Sequence, residues 1–160
     1  MRNSAPDLYP VDDLKRAHRV TLLIWGAMAA SLFVYALVAE LVGAARASLP
    51  APSLGVLRWV FVGVAVAQFA VVGLVARRLL EGRAALPAGP LRPAQRLQGA
   101  AILRFAMCEA VGLYGLVLFF LGGSRRDLYA FVVVALIALA VHVPRRERWE
   151  EWARAEARRA

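Results

Sequence analysis

The chain is short of the residues that most chemistry requires. It has one cysteine, Cys108, so it forms no internal disulfide, no CxxC redox centre and no cysteine zinc site. Its two histidines, His18 and His142, stand at opposite ends of the chain, which argues against a bis-histidine haem site. Acidic residues are scarce, 11 against 20 Lys and Arg. No HExxH motif, no Ser/His pairing and no Asp pair falls inside an apolar segment. The sequence therefore implies no enzyme, no metal and no cofactor.

What the chain has in excess is apolar surface. Its 160 residues are 61% hydrophobic, against about 45–50% in soluble domains. The excess is confined to four runs: Val20–Val42, Leu54–Ala76, Ala100–Leu121 and Leu128–Val143, the last closed by Pro144. A bilayer core needs about 20 apolar residues as helix, within a range of about 17–25. Runs of this length are too long for strands, and lipid requires backbone groups to pair within the segment. The fold class expected is thus all-α: a bundle of four membrane helices over about residues 20–42, 54–76, 100–121 and 128–143. Residues 144–160 are expected to form an interfacial helix, with Trp149 and Trp152 three apart on one face. The short connections at Ser48–Pro52 and Gly122–Ser124 predict two antiparallel hairpins, and Glu81–Arg96, rich in Pro, Gly and Arg, is the linker between them. This composition excludes a soluble enzyme, a disordered chain and a β-barrel porin.

Charge placement predicts orientation. Fifteen of the 20 Lys and Arg fall in the N-terminal tail, the Glu81–Arg96 side and the C-terminal tail. Four, Arg46, Arg58, Arg125 and Arg126, fall on the other side, and Arg104 lies inside the third run. Positive charge stays on the cytoplasmic side, so both termini are expected there, in a multi-pass cell-membrane protein (the inner membrane if the cell is Gram-negative). The net charge of +9 follows from this asymmetry and is not read as a nucleic-acid footprint. The partner expected is the lipid bilayer, with a second copy or another membrane subunit left open. Ala45-Arg46-Ala47 looks like a signal cleavage site. The preceding run, however, exceeds a signal's usual 7–15 apolar residues, roughly, and follows a long polar stretch, so an uncleaved helix is expected.

Glu109, near the middle of the third run, is the residue that stands out. An ionisable group at the centre of a membrane helix costs about 2.5–3.5 kcal/mol to insert, and such groups avoid lipid. Removal from water disfavours the charged form unless a cation is near, so a carboxyl there can take up and release a proton. Ala106 and Gly112 lie at helical spacing from Glu109 and let another helix approach. Gln68, at similar depth on the second helix, is the expected hydrogen-bond partner, with Tyr114, Tyr35 and Ser31 as further contacts. Arg104 is about 140° round the helix and is expected to snorkel toward the cytoplasmic end. Three readings stay open: an ion-binding site of Glu109, Gln68 and Tyr114, a structural cross-helix acid, or an ion pair with a neighbouring subunit. Glu40 is expected to pair with Arg58, and Cys108 to act as a small apolar filler. A parallel duplication is suggested by Ala27-Met28 against Ala106-Met107, Tyr35 against Tyr114 and Gly43 against Gly122.

Arg92-Pro93-Ala94-Gln95-Arg96, followed by the stretch from Ile102 through Glu109-Ala110-Val111-Gly112-Leu113-Tyr114-Gly115-Leu116-Val117, resembles the carboxylate-bearing helix of proteolipid subunit c of rotary ATP synthases. The resemblance covers about residues 92–117. It implies that Glu109 matches that family's ion-carrying carboxylate and that subunits form a ring moving protons or sodium.

Overall fold

The computed structural model describes residues 11–43, 51–80 and 93–157. All regular structure among them is helical: α1 (Val11–Val42), α2 (Ala51–Leu80), α3 (Pro93–Phe120), α4 (Arg125–Val141) and α5 (Arg146–Ala157). The signal-like Ala45-Arg46-Ala47, most of the first outer turn and residues 81–92 of the linker lie outside the described residues. The helices overrun the apolar runs that predicted them. α1 starts nine residues early because Lys15, Arg16 and Arg19 are straight-chain helix formers. α2 continues through Arg77 and Arg78, whose charge suits the negative end of a helix. Pro93 opens α3, a position where its missing N–H costs nothing, so the last four residues of the expected linker are helix.

Three of these helices, α1, α2 and α3, are long and apolar enough to cross a membrane. α4 passes the same test only together with α5, from which it is bent by 51°. Its 17 residues span about 26 Å, just short of a core about 30 Å thick. The bend falls at Pro144, which cannot continue the helix.

α3 is the hub. It packs against α1, α2, α4 and α5, whereas α1 and α2 do not touch each other among the described residues. Burial follows the same order: 39% of the apolar window of α3 is buried, against 17% in α2 and 11% in α1. The expected α1–α2 hairpin is therefore corrected. The eight residues between α1 and α2 can span up to about 28 Å, well over the 8–10 Å, roughly, that separates packed helices, so a short loop does not enforce contact. The glycines of α1 and α2 (Gly26, Gly55, Gly63 and Gly73) face no neighbour, whereas two glycines of α3 lie at helix contacts. A Cβ on Gly112 would strike Leu32 of α1, and one on Gly115 would lie 2.7 Å from Phe131 Cβ of α4. Cys108 and Val111 of α3 are buried beside them, with Leu32, Ala135 and Leu139 from the flanking helices. The two halves pack differently, since α3 and α4 form a contacting pair and α1 and α2 do not.

The α3–α4 corner is built from local sequence. Gly122 has φ 101°, and the N–H groups of Gly122 and Gly123 donate to Phe119 O (3.2 Å) and Leu118 O (2.8 Å). This is a Schellman ending, which favours glycine at the left-handed position. Ser124 then caps α4 by accepting from Asp127 N at 3.2 Å, while Ser124 N donates back to Asp127 Oδ2 at 3.2 Å. Gly122→Ala is expected to cost about 1–2 kcal/mol, the penalty of an L-residue at positive φ. Cys108 is 1% exposed, so a thiol-reactive dye reports its release in a thermal melt, and an unchanged midpoint would refute the assignment.

The chain direction alternates. His18 meets Pro144, Trp25 meets Leu139 and Glu40 meets Tyr129, so α1 and α4 are antiparallel. Gln68 meets Met107 and Phe61 stacks on Tyr114, so α2 and α3 are antiparallel too. The starts of α1 and α3 and the ends of α2 and α4 thus share one end of the molecule, with α5 packed beneath them.

Candidate functional site

Glu109 sits on the face of α3 that α1 covers. Ser31 and Tyr35 are four apart on α1 and so project side by side. Ser31 Oγ lies 2.5 Å from Glu109 Oε1, and Tyr35 Oη donates to the same oxygen at 2.8 Å. Ser31 Oγ also lies 2.7 Å from Met28 O. Leu32, between the two polar residues, is fully buried and covers Gly112, one turn after Glu109. Ala106, one turn before Glu109, is half-buried, as is Glu109 itself. Ser31 and Tyr35 were the secondary candidates from the sequence, and they are the groups that reach the carboxyl.

Gln68 and Tyr114 belong to a different face. Gln68 Nε2 donates to Met107 O at 2.8 Å, and Gln68 Oε1 accepts from Tyr114 Oη at 2.7 Å. Phe61 stacks on the Tyr114 ring at 5.1 Å between centroids. The expected Gln68–Glu109 bond is therefore corrected. Tyr114 is five residues from Glu109, about 140° round α3, the same angular offset that separates Glu109 from Arg104. The predicted trio of Glu109, Gln68 and Tyr114 is thus split: α1 holds the carboxyl, and α2 grips a helix carbonyl and a phenol beside it at similar depth.

At the far end the charged pairs also differ from expectation. Arg58 Nη2 donates to Asp127 Oδ2 at 2.8 Å. Glu40 accepts from Tyr129 Oη at 2.6 Å and lies 3.3 Å from Arg125. Glu40 and Arg58 do not pair, because they stand on the two helices that do not meet. In α5 the expected i,i+4 pairs are present: Arg146 to Glu150 at 2.7 Å and Arg154 to Glu150 at 3.4 Å.

The sequence reading missed the contacts that tie α5 to the bundle. His18 Nε2 lies 2.8 Å from Pro144 O, and its ring meets Trp149 edge-on with centroids 5.5 Å apart. Trp25 Nε1 donates to Leu139 O at 3.0 Å, at the last turn of α4. The signal was present: an indole and an imidazole near the polar end of an apolar run need partners for their N–H groups. Arg104 lines a cavity at the end shared by the start of α3 and the ends of α2 and α4. No group of three or more His, Cys, Asp or Glu among the described residues could hold a metal ion. No family model, no curated protein and no solved structure matches the chain.

Proposed function

We propose that the chain is a small integral membrane protein of structural or assembly type, in which a protonated Glu109 knits α1 to α3 within the bilayer. On this reading α4 completes a four-helix bundle, and the end rich in Lys and Arg, with both termini, faces the cytoplasm. The observation that carries it is a hydrogen count. Three contacts converge here: Tyr35 Oη to Glu109 Oε1, Ser31 Oγ to Glu109 Oε1 and Ser31 Oγ to Met28 O. Each needs a hydrogen, and the two hydroxyls carry one apiece. A carboxylic acid proton, donated from Oε1 to Ser31 Oγ, supplies the third.

The alternative is a proton- or cation-translocating subunit, proteolipid-like, working through the same carboxyl. It draws support from Oε2, which makes no hydrogen bond to the described residues while both bonds fall on Oε1. One pair of variants separates the readings. Glu109→Gln stays neutral and keeps a donor and an acceptor, so the structural reading expects a thermal midpoint near wild type. Glu109→Ala loses two interhelical bonds, each worth about 0.6 kcal/mol on average and about 1.7 at most in membranes. Its loss should be about 1–2 kcal/mol. If proteoliposomes instead show pH-driven flux above empty vesicles, and Glu109→Gln abolishes it, the translocating reading replaces the structural one.

A further inference from the structure

We propose that the cavity where α2, α3, α4 and α5 end is a binding site for a phosphate-bearing anion, gripped by the guanidiniums of Arg104, Arg145 and Arg148. The cavity offers about 190 Å³, far above the 10–15 Å³, roughly, that admits one water. Its walls include those three arginines with Phe105, Trp149 and Trp152, and no carboxylate lines it. Among the described residues the three arginines have no ion pair or hydrogen bond. That is unusual for Arg104, a half-buried cation, because a charge removed from water is normally paired. Arginines elsewhere show the contrast: Arg146 and Arg154 on α5, and Arg58 and Arg125 at the opposite end, each meet a carboxylate.

The ligand class follows from the donors. Guanidinium forks match phosphate oxygens two at a time and tolerate partial burial better than ammonium groups. Three of them around one pocket suit a ligand with several anionic oxygens. Arg104 comes from α3, whereas Arg145 and Arg148 flank the α4–α5 bend, so a bound phosphate would join the bend to the hub. Aromatic and aliphatic walls below the arginines suit an amphiphile, and the cavity lies at the helix ends where headgroups lie. Basic pockets of this kind between membrane helices accept anionic lipid headgroups. The shared chemistry is a phosphate ester, from a lipid headgroup or from solution. The proposal does not depend on the role of Glu109.

The test uses full-length protein in neutral detergent, with lipid retention read by native mass spectrometry. Phosphatidylglycerol is expected to be retained saturably and at least 10-fold more tightly than phosphatidylcholine. Arg104→Gln and Arg148→Gln should each weaken retention about 10-fold, and Arg104→Lys should fall between, since an ammonium cannot form the fork. Arg126→Gln, at the opposite end, should change nothing, and the Cys108 dye melt checks that every variant is folded. Competition by inorganic phosphate, but not by chloride at equal ionic strength, would assign the site to phosphate in general. Retention unaffected by inorganic phosphate would assign it to the lipid headgroup. Equal retention of the two lipids without any effect of phosphate would overturn the proposal. So would an Arg126→Gln effect as large as that of Arg104→Gln, because the binding would then be diffuse charge attraction.

Discussion

Gly115→Leu is expected to separate α4 from α3 and to give the largest loss of stability of any single change in the bundle. A Cβ at Gly115 would lie 2.7 Å from Phe131 Cβ, 3.0 Å from Leu128 O and 3.3 Å from Leu128 Cα. None of these atoms can rotate aside, since they are backbone or the root of a side chain, so the whole of α4 must move. Overpacking costs about 1–3 kcal/mol, and leucine adds three more carbons to a space that lacks room for one. On the membrane reading proposed above, lipid tails give helices no hydrophobic drive to associate, so close packing carries much of the contact. Gly112→Ala is the informative comparison. Its first obstacle is Leu32 Cδ2, the tip of a flexible side chain, so the loss should be smaller. The Cys108 dye melt ranks the two, and equal midpoints for both variants and wild type would refute the close approach.

Trp149→Ala is expected to release α5 while leaving the core melt nearly unchanged. Trp149 is 6% exposed although it sits in the most polar helix of the chain. Its edge-on contact with His18, and the bond from His18 to Pro144 O, tie α5 to the start of α1. Trp→Ala in a core costs about 3–5 kcal/mol, which bounds the loss here. That amount exceeds what two exposed Arg–Glu pairs at i,i+4 restore, about 0.3–0.5 kcal/mol each. Trypsin should therefore cut after Arg146, Arg148 and Arg154 much faster in the variant. Trp152→Ala, at a half-buried position, should have a lesser effect. Unchanged cleavage in Trp149→Ala would show that α5 is held by something other than this indole.

The helices were legible because membrane-length apolar runs leave few alternatives, and the turn at Gly122–Ser124 was legible from its glycines, whereas the Ser124–Asp127 cap of α4 emerged only from the structure. The helix starts were not, since Lys, Arg and Pro93 extend helices past the apolar run. Pairing was misread for a different reason. Proximity along the chain suggested α1 with α2, whereas the small residues that allow close approach lie on α3. The partners of Glu109 were half legible. Ser31 and Tyr35 share a face at the right depth, but Gln68 and Tyr114 share only the depth. Applying to Tyr114 the 100° per residue already applied to Arg104 would have removed it from the carboxyl's face. The α5 contacts and the arginine cavity need tertiary geometry, because His18 reaches Pro144 and Trp149, and Arg104 shares a cavity with Arg145, only once α1, α3 and α4 are side by side.

That α1 and α2 share α3 but not each other has a consequence for biogenesis. On the membrane reading proposed above, a ribosome delivers α1 and α2 to the bilayer first, and there they are strangers. Ser31, Tyr35 and Gln68 enter lipid with no partner on the opposite helix, because Glu109, Met107 O and Tyr114 Oη are still to be synthesised. The first half of the protein is thus a pair of independent spans, and a chain arrested before Pro93 remains in that state. The third span is the keystone of assembly: its arrival satisfies both earlier helices at one depth, and the tight corner at Gly122 then delivers α4 directly onto it.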